Sequence, residues 1–392
     1  LPCSFCQKKE PHPKDYLLSA GEDKAVRVWD IETGKTVRFI RGEIGAGHEG
    51  KIYAMALSPD GRMVAVGGWL AGRVEERCAV RLHDTATGRV LGILKGHTNV
   101  ILSLAFSLDG KYLASGQSGT SNPTVRIWDA DKKKQMHVLE GHKNKISALA
   151  FSPDEKHLVS GSVDHTLILW GVRYGRQIAT LAGHKDDVYS VAYDLRGRYI
   201  ASGSWDNTIR LWDGMTGRFI KILADQGTGI GSLTFSPDGT KLLSGTSESS
   251  PHNCHVYSVP DGKELVTFRE HDNIVFATAI SPDGQLAATG GGNNKDILIW
   301  NLADGRIIKR LSGVGASVQA VGFSKNSSAI AWGQTSSYQS HNNWGSLKHT
   351  LFFRTNGDWN LVPGRDVKNE SGFVRASDTH GYYRLKHEKG GD

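Results

Sequence analysis

The chain repeats itself, and a repeat narrows the possible folds more than any composition does. Four segments carry the same signals in the same order: GHTNVILSLAFSLDGKYLASG at 96–116, GHKNKISALAFSPDEKHLVSG at 141–161, GHKDDVYSVAYDLRGRYIASG at 183–203 and HDNIVFATAISPDGQLAATG at 271–290. Each is followed by a short apolar run ending in or near Trp: VRIWD at 125–129, LILWG at 167–171, IRLWD at 209–213 and ILIWN at 297–301. Trp128, Trp170 and Trp212 stand 42 residues apart, and a Gly recurs five residues past that position at Gly34, Gly88, Gly175, Gly217 and Gly305. Such a chain builds the same small unit again and again and packs each copy on the next.

Each copy reads as four strands. Alternating apolar positions such as Ile101, Leu104 and Phe106 suit a half-buried strand, and the S-P-D-G that follows is a tight turn. A second strand ends in Ser-Gly, a polar loop leads to the Trp-bearing strand, and a Gly turn leads to a fourth strand such as QMHVLEGH at 135–142. No segment sustains helical periodicity. Four-stranded sheets this small cannot bury their faces alone, so they are expected to stack around an axis. Eight Trp-type strands are counted, ending near Trp29, His83, Trp128, Trp170, Trp212, Tyr257, Trp300 and Phe352.

The G-H, S-P-D-G, S-G-S-x-D-x-T and W-D signals resemble the WD40 repeat family, over about residues 14–355. The resemblance implies an all-β propeller with eight four-stranded blades, or seven, the commoner number in that family. The expected division is a propeller over 1–362, with units near 1–47, 48–96, 97–141, 142–183, 184–226, 227–270, 271–313 and 314–362. Residues 363–392 are then a tail that closes the ring or starts another domain. Leu1–Phe5 reads as the end of the first inner strand. His83 in place of Trp, Tyr257 in place of Trp and the missing Gly-His of the sixth unit depart from the pattern.

His142, Ser160 and Asp164 in one unit, and His184, Ser202 and Asp206 in the next, have the residue types of a hydrolase triad. A triad is needed once, beside an oxyanion site. These recur at a fixed offset and travel with Trp170 and Trp212. The resemblance implies a buried hydrogen-bond chain from His through Ser and Asp to the indole, which supplies each buried polar group with a partner. At the Asp position other units carry Asn122, Asn294 and Arg77. No catalytic residue, cofactor or metal is expected. Cys3 and Cys6 have half the spacing of a zinc site, with His12 near, but no second pair follows. Lys132–Lys134 lacks the interleaved aromatics of a nucleic-acid reader. The formal charge of +7, from 47 basic and 40 acidic residues, needs no nucleic acid to explain it. No apolar stretch reaches membrane-span length, and free thiols suit a cytoplasmic setting.

The copies differ most in the loop from the second strand to the third. It is short in SVDHT and SWDNT, and swells to 69–79, 117–124, 246–254 and 334–350 elsewhere. Because every unit has the same strand order, these loops share one face with the Gly-His segments, and insertions gathered on one face mark a binding face. Trp69, Arg73, Trp205, Tyr338, His341 and Trp344 are the partner-binding candidates, being of types enriched at hot spots. The function expected is a non-enzymatic scaffold for other proteins or peptides, without membrane or nucleic acid. The alternatives are a sensor module of a larger signalling or protease-like protein, and an enzyme centred on the channel.

Overall fold

The turn after each first strand shows why the repeated letters fold alike. Ser58 Oγ donates to Asp60 at 2.6 Å and accepts the N–H of Met63 at 2.9 Å, locking a turn that starts the second strand. Ser107, Ser152, Ser236 and Ser281 repeat the bonds with Asp109, Asp154, Asp238 and Asp283. In the copy without that Ser, the Asp194 carboxylate takes its place and accepts the N–H of Tyr199 at 2.9 Å.

The structure is a computed structural model. It describes residues 16–20, 25–30, 36–41, 51–70, 76–85, 87–121, 123–246, 254–271, 274–291, 296–312, 318–323, 329–334 and 380–384, with side chains between 52 and 310. The described residues form eight antiparallel sheets and no α-helix. Six sheets have four strands in sequence order and two have three. The first sheet is Tyr16–Ala20, Ala25–Asp30 and Thr36–Arg41, and the second runs from Lys51–Leu57 to Val90–Leu94. The third is Ile101–Phe106, Tyr112–Gln117, Thr124–Asp129 and Lys134–Glu140; the fourth is Ile146–Phe151, His157–Ser162, Leu167–Gly171 and Arg176–Leu181. The fifth is Val188–Tyr193, Tyr199–Ser204, Thr208–Asp213 and Phe219–Asp225; the sixth and seventh start at Ile230–Phe235 and Val275–Ile280. The eighth is Val318–Phe323, Ala329–Gln334 and His380–Arg384.

From the second sheet to the eighth, each first strand lies beside the first strand of the next, and Tyr16–Ala20 lies against Ala329–Gln334, bringing the last sheet to the first. This is the propeller the repeat implies. One strand differs from the sequence reading. The third strand of the eighth sheet is His380–Arg384, which pairs Tyr383 with Ile330 and His380 with Gly333, rather than a strand ending near Phe352. Both LFFR and GYYR offer short β-forming runs, and spacing alone does not choose between them once a long segment intervenes. Phe352 lies outside the described residues, as does Leu1–Phe5.

The packing between sheets explains the Gly near the end of the second strands, preceded by Ser in the third to sixth sheets. A Cβ on Gly67 would meet Ile101 at 2.6 Å, and one on Gly203 would meet Ile230 at 2.5 Å. Ile146 and Val188 press on Gly116 and Gly161 in the same way. The first apolar residue of the inner strands of the third to sixth sheets thus seats where the preceding sheet has no side chain. Trp128, Trp170, Trp212 and Trp300 are buried in the clusters between sheets, and Phe268 stacks on Trp300 at 4.4 Å.

Candidate functional site

The end of the sheets that carries the Gly-His segments is built on buried hydrogen-bond chains. In the fourth sheet His142 Nδ1–H donates to Asp164 at 2.9 Å, while its Nε2 accepts from Ser160 at 2.8 Å. Trp170 Nε1–H donates to the same Ser160 oxygen at 2.8 Å. The fifth sheet repeats this with His184, Asp206, Ser202 and Trp212 at 2.9, 2.7 and 2.8 Å. Asp164 also accepts from the Lys143 N–H and the Thr166 hydroxyl, and Asp206 from Lys185 and Thr208. Burial acts to raise these two carboxyls, but the donors outweigh it and hold both well below the ordinary carboxylate range. Burial pushes the His184 imidazole down, with Asp206 pulling the other way.

These chains offer no chemistry to a substrate. Ser160 and Ser202 are fully buried, and each hydroxyl is already committed to a His acceptor and an indole donor. A nucleophile needs access to a reacting carbon, and none reaches these oxygens.

Two partners escaped the sequence reading. In the third sheet His97 Nδ1–H donates to Gln117 at 2.8 Å, and Nε2 accepts from Ser115 at 2.7 Å, which Trp128 also reaches at 2.7 Å. Gln117, at the position of Ser162 and Ser204, does the work of the Asp carboxylate, whereas Asn122 lies outside the described residues. With an amide there in place of a carboxylate, burial drives the His97 imidazole down to about 3, against the Gln117 bond. In the sixth sheet Gln226 occupies the place of the missing His and hydrogen-bonds Ser244. Burial pushes the Tyr257 phenol, standing where the Trp would be, up to about 12. The signal for Gln226 was the 42-residue register: 226 is 184 plus one repeat. In the seventh sheet Thr289 replaces Ser, bonded to His271 at 2.8 Å and Trp300 at 3.1 Å. Asn294 lies outside the described residues.

The chains fix where the loops emerge. His97 grips the end of the second strand of its own sheet, just before the loop to the third, and His142 and His184 grip that loop itself through Asp164 and Asp206. The loop of the second sheet reaches the same end, since Glu76 pairs with Lys95, next to Gly96-His97, at 3.0 Å. Of the partner-binding candidates, Trp69 is the last residue of its strand, paired with Lys51 and half-buried, rather than a loop residue. Trp205 is half-buried on a short turn, its ring 5.0 Å from Tyr189. Arg73, Tyr338, His341 and Trp344 lie outside the described residues, as do Cys3, Cys6 and His12.

Six segments, at 41–70, 88–129, 133–171, 175–213, 217–258 and 262–301, match the WD domain, G-beta repeat family and cover more than half of the chain. The chain belongs to the WD-repeat family. Every full WD segment starts at or beside a fourth strand and ends on the third strand of the next sheet, so sequence repeat and sheet are staggered. Among similar proteins, the target of rapamycin complex subunit wat1 of Schizosaccharomyces pombe is 28% identical over 30% of this chain and 33% of its own length. The human angio-associated migratory cell protein is 35% identical over 20% of this chain and 18% of its own. Nuclear distribution protein nudF 2 of Penicillium rubens is 29% identical over 29% of this chain and 25% of its own. The chain thus matches a third or less of the length of these curated relatives.

Proposed function

We propose that this WD-repeat chain is a non-enzymatic scaffold that binds other proteins through the end of the propeller bearing the Gly-His segments and the long loops. The observation that carries the reading is the match to the WD family together with loops of unequal length rising from one end of near-identical sheets. The buried chains beneath them are spent on holding that end rigid, and rigid presentation lowers the ordering cost of binding. The similarity to a protein named as a complex subunit supports the same reading. A cytoplasmic setting goes with it, as Cys78 and Cys254 are free thiols.

Arg73 and Trp344, in the two longest insertions, are the residues chosen to test the face. The intact chain, used as bait, is expected to retain a protein partner, and the joint Arg73→Ala and Trp344→Ala variant to lose most of that capture with its melting temperature nearly unchanged. Undiminished capture by the variant, or capture abolished instead by charge reversal at Lys132–Lys134 on the opposite end, overturns the assignment.

A further inference from the structure

A repeat protein carries its own controls, because neighbouring copies show what the fold requires at each position. Two residues past the Gly-His histidine, Asn99 and Asn144 accept the next backbone N–H at 2.8 and 2.9 Å. Asp186 makes the same bond to Asp187 at 2.8 Å, so the fold asks for a side-chain oxygen there and not for a charge. At the position of Asp187 the other copies hold Val100, Lys145, Gly229 and Ile274, so the fold asks for no acid at all. Trp205 stands where the preceding copy has Val163, and both make the same backbone bond, to Asp187 and Lys145 respectively, at 3.0 Å. Tyr189 stands where other copies have Leu102 and Ser147.

These departures meet at one place, between the fourth and fifth sheets on the loop-bearing end. The Tyr189 hydroxyl donates to Asp187 Oδ2 at 3.1 Å, and its ring lies 5.0 Å from that of Trp205 at 35°. His165, exposed on the neighbouring turn, brings Nδ1 to 3.5 Å from Asp187 Oδ1. Ligand atoms of His165, Asp186 and Asp187 all lie within 4.8 Å of one another. Trp205, Asp186 and Asp187 are half-buried, which leaves part of each to solvent. The Asp187 carboxyl is raised, by burial first and also by the Asp186 charge, while Tyr189, His165 and Lys145 pull the other way. A further positive group would relieve that pair.

We propose that this junction seats an arginine side chain of a partner protein, its guanidinium lying on the Trp205 ring and donating to Asp186 and Asp187. The proposal rests on the scaffold reading and names the chemistry of what that face takes. Arginine fits better than lysine because a planar guanidinium stacks on an indole while its fork reaches two carboxylates, which a point charge does not do.

The test is a selection of displayed random peptides on the full chain. Two variants borrow only residues that neighbouring copies tolerate: Asp186→Asn with Asp187→Val, and Trp205→Val alone. Retained peptides are expected to share an arginine whose replacement by citrulline, neutral and nearly isosteric, weakens binding at least about tenfold. Each variant is expected to bind them weaker by a similar factor while melting within a few degrees of the parent. Peptides indifferent to citrulline or to both variants overturn the arginine seat and leave the scaffold reading standing, whereas a chain that retains no peptide overturns both. Zn²⁺ that binds the parent chain, competes with the peptides and loses its binding in Asp186→Asn with Asp187→Val would assign the cluster to a metal instead.

Discussion

At Asp206 one carboxylate gathers four donors: the His184 ring, the backbone N–H groups of Lys185 and Thr208, and the Thr208 hydroxyl. Asp206→Ala leaves a buried imidazole N–H and a loop without an acceptor, and is expected to cost roughly 1–3 kcal/mol of stability. Chemical denaturation checks it, and an unchanged midpoint shows that Asp206 holds nothing together. The neutral version of the chain at His97 gives a pH test. Its folded pKa of about 3 lies below the ordinary 6.5, so the unfolded chain binds the extra proton and stability falls as pH drops from 6.5 towards 3. Between pH 7 and 5 that linkage amounts to about 2 kcal/mol. The depressed carboxyls of Asp164 and Asp206 lose their stabilisation only below the unfolded value of 3.8, outside this window. Denaturation at pH 7 and pH 5 is therefore expected to show a larger loss in the parent than in His97→Gln, and equal losses would place the titration elsewhere.

At the scale of the strand, the decisive contact is the apolar residue of one inner strand against the glycine of the preceding sheet. Gly161 faces only side chains, Val188 and Val191 at 3.0 Å, whereas Gly245 faces the Val275 carbonyl oxygen at 2.5 Å. Side chains yield by rotation and a backbone oxygen does not. Gly245→Ala is expected to cost roughly 1–3 kcal/mol and Gly161→Ala clearly less, read from their denaturation midpoints. An equal cost for both would mean that the sheets are not wedged together at this point. The Ser-Gly signal, the turns and the Trp-bearing strands were all legible in the sequence, because each is dictated by a local bond or a fixed offset. Gln117 and Gln226 were not, since Gln226 puts an amide where an imidazole is expected and Gln117 takes the bond of the acid from the position where the next two copies have Ser. Trp69 was misplaced by one position across a strand end, where a hydrophobic side chain signals strand and loop equally well. The last strand was misplaced because sequence spacing loses its hold across a 45-residue interval between Gln334 and His380.

Over the whole molecule, the stagger between repeat and sheet determines where the ring is weakest. A segment such as 88–129 supplies Val90–Leu94 to the second sheet and three strands to the third, so the chain itself ties those sheets together. Among the described residues no continuous segment does this between the eighth sheet and the first, where the contact is Tyr16–Ala20 against Ala329–Gln334. That second strand is the middle of its sheet, paired on one edge with Val318–Phe323 and on the other with His380–Arg384, the latter through five positions from Ala329–Arg384 to Gly333–His380. Replacing 380–384 with a Gly/Ser linker of equal length removes those ladder bonds and exposes an edge beside the seam. The expected result is a drop in melting temperature of roughly 2–4 °C for each kcal/mol lost. Amide protection should fall in Ala329–Gln334, while Leu167–Gly171 and Thr208–Asp213, in sheets each three away from the nearer sheet of the seam, keep theirs. Unchanged protection of Ala329–Gln334 would show that another segment completes the eighth sheet. Loss of protection everywhere would mean that the ring opens as one cooperative unit once its seam is unfastened.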